Sequence, residues 1–164
     1  IGFYSILTSD YFKQVYSFEP NFRNYQKLLK NIKQNKLEKK IRTFNYGLGE
    51  NNKKLKGVSA NKGELIQTSG FSISQSNKTG EDVLILKGDD AMKLVNEDIT
   101  LKIDVEGYEY NVLKGLEATL INNNCFIQIE IWDKNLKDVL EFLNNLHYQK
   151  LITIEGDTFF SKSE

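Results

Sequence analysis

Residues 100–132 read strand, helix, strand, and this pattern constrains the fold more than any other feature of the chain. Thr100-Leu101-Lys102-Ile103-Asp104-Val105 alternates apolar and polar side chains, and Glu106-Gly107 breaks the alternation. Tyr108, Val112, Leu116 and Leu120 then recur at helical spacing. Residues 125–132 (CFIQIEIW) form a second strand rich in β-branched and aromatic residues. Two strands joined through a helix pack side by side in parallel. The rest of the chain repeats the theme. Residues 1–12 read as the first turns of a helix and 15–19 (VYSFE) as a strand. A helix over 22–36 follows, with Phe22, Tyr25, Leu28, Leu29 and Ile32 on one stripe and Asn21 as its N-cap. Residues 41–46 (IRTFNY) are a strand ended by Gly47-Leu48-Gly49, and 83–86 are a weaker strand. Asp89 or Asp90 caps a short helix reaching about Asn96. Leu136, Val139, Leu140, Leu143 and Leu146 stripe a last helix, and residues 148–155 and 158–161 form a hairpin around Gly156-Asp157. The expectation is an α/β protein with a mostly parallel sheet and an antiparallel C-terminal edge hairpin.

The 164 residues suit one domain spanning 1–164. Residues 50–81 are dominated by Gly, Ser, Asn and Lys and read as a long variable loop or irregular hairpin inserted in it. Twenty-two basic and twenty-two acidic residues cancel, which argues against nucleic acid as a partner. Cys125 is the only cysteine, so an intramolecular disulfide is excluded and a reducing, cytoplasmic location is expected. No apolar run approaches the ~20 residues that span a bilayer. The chain opens on Ile1 rather than Met, and we read it as cropped at that end.

Ligands of α/β sheets sit at the carboxyl ends of the strands. Glu19 ends one strand, and a carboxylate there suits the two hydroxyls of a ribose. A surface glutamate answering a helix dipole is the alternative. Gly2, upstream at a helix start, favours the ribose reading, being close to the ~20-residue spacing between a nucleotide loop and its acid. The turn Asn45-Tyr46-Gly47-Leu48-Gly49 lets backbone approach a flat ring, although taken alone a plain turn is favoured. Leu101, Ile103 and Val105 share one strand face, and Lys102, Asp104 and Glu106 share the other. Gln128 and Glu130 repeat the pattern, so neighbouring strands would gather one partly buried polar cluster. Such departures mark functional sites or structural ion pairs, here Lys102–Glu130 or Lys102–Asp104. Gly107 keeps the following turn tight, and the helix it starts would stabilise Glu106 as an anion. His147 suits a polar or capping role, Cys125 a core position, and Trp132 either pocket or packing. Lys27, Lys30, Lys33, Lys36, Lys39 and Lys40 suit a solvated helix face.

Four segments, VYSFEPNFRNYQKLLKNI, NYGLGE, LKIDVEGYEYNVLKG and IQIEI, resemble the FkbM family of S-adenosylmethionine-dependent methyltransferases. The similarity runs from Ile1 to the final GDTFF and rests most on IDVEGYE…VLKG. The resemblance implies a Rossmann-like methyltransferase sheet. It also implies transfer of a methyl group from S-adenosyl-L-methionine to a hydroxyl of a sugar, polysaccharide or natural product, so the partner is a small-molecule or glycan acceptor. On this resemblance Glu19 matches the ribose-binding acid, with Pro20 and Asn21 beside it, and Tyr46 and Gly47 line the adenine edge. Asp104 and Glu106 lie beside the methionine and the acceptor. Gly2 and Phe3 belong to the tail of the family's D-x-G-x-N-x-G-like loop. The first strand and the glycine loop itself are missing from this chain, and that strand belongs between residues 15–19 and 100–105. A base that takes the acceptor's proton is drawn from Glu106, Asp104 and Glu130, in that order. The three are compatible with a divalent ion, but the sequence does not demand one, and no metal is assigned. The alternatives are an NAD-type Rossmann oxidoreductase and a catalytically inactive binding module.

Overall fold

The computed structural model describes residues 1–59, 71–74 and 80–163. Helix α1 (Phe3–Leu7) and a 3-10 turn (Ser9–Tyr11) lead into strand β1 (Val15–Phe18). Helix α2 (Phe22–Gln34) returns the chain to β2 (Ile41–Phe44), which pairs in parallel with β1, Val15 opposite Ile41. Leu28 and Ile32 of α2 are buried against Ile41, with Ile6 and Val15 packed on the same small core. Asn21 is the N-cap expected, its Oδ1 accepting the Asn24 N–H at 2.9 Å.

Residues 47–87 build a second sheet. Gly47–Gly49, read from sequence as a turn, is a strand, β3. It pairs in parallel with β6 (Glu81–Lys87), and β4 (Lys53–Ser59) lies antiparallel between β6 and β5 (Phe71–Ser74). Of the loop or irregular hairpin expected over 50–81, the described residues form β4 and β5, an antiparallel pair, and the start of β6, with residues 50–52 and 80 outside any strand, while residues 60–70 and 75–79 of that expectation lie outside the described residues. Val83 and Ile85, alternating with exposed Leu84, put one face of β6 in the core.

The third sheet has the order β7-β8-β10-β9, from β7 (Asp98–Ile103), β8 (Asn124–Glu130), β9 (Tyr148–Ile154) and β10 (Asp157–Lys162). β7 and β8 are parallel neighbours, Lys102 opposite Gln128, as the strand–helix–strand reading requires. The C-terminal hairpin differs from expectation. β10 lies between β8 and β9, so only β9 is at the edge, and the turn is Glu155-Gly156, both at positive φ (50° and 95°). Across the described residues three strand pairings are parallel and four antiparallel, so the sheets are mixed rather than mostly parallel. Helices α4 (Glu109–Gly115), α5 (Glu117–Asn122) and α6 (Asp133–Asn145) cover the Ile103, Ile127, Ile129 face of this sheet and complete the main core.

Two local expectations are corrected. Helix α3 (Gly88–Met92) has Lys87 at its N-cap and no side-chain cap. Asp89 instead reaches across to α5, where Oδ2 accepts from the Ala118 N–H at 3.1 Å and Oδ1 from the Thr119 N–H and hydroxyl at 2.8 Å. Helix α4 begins at Glu109, three residues later than Glu106, so Glu109 is the acidic residue in its first turn.

Candidate functional site at the carboxyl ends of the strands

The β1 rim is built around Glu19. Its backbone continues the ladder, the N–H donating to the Phe44 carbonyl at 3.0 Å, while its carboxylate turns onto the start of α2. Oε1 accepts the Asn21 N–H at 2.9 Å, and among the described residues Oε2 has no hydrogen-bond partner. Burial raises the proton affinity of this carboxyl, the Asn21 N–H opposes that, and Glu81 adds to it. Asn21 is 4% exposed and also donates its Nδ2 to Glu81 Oε2 at 2.8 Å, while Glu81 Oε1 accepts the Phe22 N–H at 3.2 Å. Asn45 Nδ2 donates to the carbonyl of Glu19 at 2.9 Å, which fixes the turn through Pro20 from the other side. Tyr46 packs on Phe18 and Phe44, ring centroids 5.7 and 5.4 Å apart, and burial pushes its phenol up from the ordinary value. Gly47 needs its missing side chain for packing, since a Cβ would stand 2.8 Å from Ile85 Cδ1 and 3.5 Å from Pro20. Gly2 is similar. It is left-handed at φ 79°, and a Cβ would meet Leu28 of α2 at 2.5 Å, whereas Phe3 beside it is 68% exposed.

The second rim lies at the ends of β7 and β8. Lys102 pairs with neither Glu130 nor Asp104 but with Asp157 of β10, at 2.5 Å. Gln128 Nε2 donates to the other oxygen of Asp157 at 2.7 Å, and the Tyr4 ring lies 5.3 Å from the Lys102 ammonium. The expected polar cluster therefore exists in part: Lys102 and Gln128 close on Asp157, and Asp104 and Glu130 stay exposed at the rim. Glu130 is held above its ordinary proton affinity by the protein packed on one side of it and then by Asp104, with Glu106 and Asp157 adding and Lys102 opposing. Asp104, Glu106 and Glu130 thus share one acidic patch. Among the described residues no set of three or more acidic, His or Cys side chains is arranged to hold a metal ion. Trp132 is 41% exposed just beyond Glu130, with the Lys134 ammonium 5.2 Å from its ring and Gly107 against its edge.

Strand β3 ties the two rims together. A Cβ on Gly49 would lie 3.2 Å from Tyr108 Cε1, just as one on Gly47 would touch Pro20. The two glycines are two positions apart on one strand, so the Pro20 and Tyr108 contacts lie ~7 Å apart. Helix α4 is drawn in by Gly115, where a Cβ would overlap the Gly49 carbonyl. Tyr108 is 6% exposed, and its hydroxyl has no hydrogen-bond partner among the described residues. A cleft of about 460 Å³ opens beside the first rim, between Asn21, Phe22 and Arg23 and the β4–β6 strands. Another of about 530 Å³ lies at the opposite, amino ends of β7 and β8, near Asp98 and Asn124, away from both rims.

Glu81 and Glu109 are the site residues that sequence reasoning passed over. Glu81 sits far from β1 in sequence, and nothing local signals that it caps α2. Glu109 was signalled: it falls on the same stripe as Val112, Leu113 and Leu116 and is fully buried. Of the remaining candidates, His147 is exposed at the end of α6 at φ 62°, Cys125 is buried with its thiol pushed up by burial, and the 27–40 lysines are mostly exposed. Among the described residues no helix is long and apolar enough to cross a membrane.

The family model described as the methyltransferase FkbM domain matches residues 3–150. No curated protein matches. Among solved structures, the chain is similar to the methyltransferase FkbM from Methylobacillus flagellatus KT, with a TM-score of 0.59 and 18% identity. The match covers 91% of this chain and 36% of that one, so the chain spans about a third of the length of the protein it resembles. At this identity the likeness is one of fold.

Proposed function

The chain belongs to the FkbM methyltransferase domain family, and on that premise we propose that it transfers a methyl group from S-adenosyl-L-methionine to a hydroxyl oxygen of a sugar, polysaccharide or related natural product. The observation that carries this reading is Glu19. A half-buried carboxylate with one oxygen held by a backbone N–H and the other without a partner among the described residues suits a pair of hydroxyl donors, the chemistry of a ribose edge. Pro20 and Asn21 hold that carboxylate in place, Tyr46 and Gly47 flank the purine, and Gly2, Phe3 and Asp104 face the methionine end. The reading makes β2-β1 and β7-β8-β10-β9 two parts of one Rossmann-like sheet within a single domain over residues 1–164.

The sulfonium cofactor supplies an activated methyl group, and the protein's task is alignment and proton handling. Glu106 takes the acceptor proton as the new carbon–oxygen bond forms. Asp104 and Glu130 stand beside it on the same rim. No metal enters this scheme.

The test is transfer of labelled methyl from S-adenosylmethionine to hydroxyl-bearing glycans and small molecules. Label on an oxygen of the acceptor is expected, with Glu106→Gln reducing turnover by about 100-fold while cofactor binding is kept. Label on nitrogen or carbon would overturn the oxygen assignment, and full turnover in Glu106→Gln would remove it as the base.

A further inference from the structure

Glu106 stands apart from its acidic neighbours in its backbone. Its φ is 52°, and Gly107 continues the left-handed path at 95°. A side-chain-bearing residue pays about 1–2 kcal/mol for that conformation, so something must hold it there. The Tyr108 N–H closes the turn weakly onto the Val105 carbonyl at 3.3 Å. The stronger restraint is Glu109. Its Oε1 accepts the Gly107 N–H at 2.6 Å, and its Oε2 accepts from Asn135 Nδ2. The same Asn135 amide donates to the Gly107 carbonyl at 3.0 Å. Both polar backbone groups of Gly107 therefore end on one carboxylate–amide pair, whose members come from the first turns of α4 and α6.

This arrangement is expensive as packing alone. Glu109 is 0% exposed, and among the described residues no ion pair reaches it. An apolar residue of similar volume on that stripe would bury without desolvating a charge. The carboxylate gains what a leucine could not: a directional grip on the turn that carries Glu106.

We propose that Glu109 and Asn135 are positioning residues, a buried clamp that holds the Glu106–Gly107 turn left-handed and so sets where the Glu106 carboxylate meets the acceptor hydroxyl. The inference rests on the reading of Glu106 as the base. Two variants weaken the clamp differently. Glu109→Gln keeps the shape but sets an NH₂ group against the Asn135 amide, donor against donor. Asn135→Ala removes a half-exposed side chain and leaves Glu109 in place.

Three readouts decide it, taken on the full chain. Amide exchange at Gly107 should accelerate at least tenfold in both variants. Turnover should fall at least tenfold while the affinity for S-adenosylhomocysteine stays within about twofold. In a Glu106→Gln background, Asn135→Ala should cause no further loss of turnover, because the clamp acts only through Glu106. Unchanged Gly107 exchange, or a loss in the double variant equal to the product of the separate losses, would overturn the proposal. A wild-type chain that binds no S-adenosylhomocysteine would overturn the functional reading instead, whatever the Gly107 amide does.

Discussion

Glu19 and Glu130 both hold protons more tightly than an ordinary glutamate, for different reasons and with different consequences. At Glu19 the cause is burial, and a ligand that donates hydrogen bonds relieves it. At Glu130 burial is joined by repulsion from Asp104 and Glu106. Because the folded pKa is raised, the native state binds more protons than the unfolded chain above the ordinary value of 4.5, and stability falls as pH rises through that window. Glu130→Gln removes the repulsion. Thermal unfolding should therefore show the variant more stable than wild type at neutral pH, with the difference vanishing below pH ~4, where both are uncharged. A variant less stable than wild type at neutral pH would mean that Glu130 is held by favourable contacts. The residue scale also shows the limits of reading a site in one dimension. That Glu19, Asp104 and Glu106 stand at strand ends was legible from the sequence. That Lys102 is taken by Asp157 was not, because their pairing depends on β10 entering the sheet beside β8.

At the scale of elements, hydrophobic spacing recovered every helix longer than ten residues and the parallel β7–β8 pair. It failed where tertiary contacts overrode local composition. Gly47-Leu48-Gly49 has turn chemistry but is a strand, because it pairs with β6, whose Ile85 leaves no room for a Cβ on either glycine. Lys-rich β4 is a strand because β6 and β5 flank it. Asp89 has the look of a cap for its own helix and caps the next one but one. Two stability measurements follow. Gly115→Ala places a Cβ on the Gly49 backbone, which cannot yield as a flexible side chain would, and should cost ~2–3 kcal/mol in urea unfolding. Asp89→Ala strips the start of α5 of three hydrogen bonds and should cost ~1–2 kcal/mol. Neutral values would show that β3–α4 packing and the Asp89 bridge are dispensable.

On the whole-molecule scale two cores of unequal size share the chain. The larger joins β6, β7, β8 and β10 to helices α4–α6, and the smaller holds α2 against β2. Among the described residues no backbone ladder joins the β1–β2 pair to either other sheet. Its links run through side chains, chiefly Asn21 with Glu81, Pro20 with Gly47, and Tyr4 of α1 with Lys102 and Gln128. Amide exchange should accordingly show β1, α2 and β2 opening before β7, β8 and β10, and equal protection would contradict that division. Cofactor bound at Glu19 would slow exchange in the weaker part first. Whether the β1 rim grips a nucleoside is measured directly by titration calorimetry of wild-type and Glu19→Ala protein with S-adenosylhomocysteine. Saturable binding weakened in the variant by ~1–3 kcal/mol, or roughly 5- to 150-fold, is the predicted result. Equal affinity in two well-folded proteins, or no binding to the wild type, would contradict it.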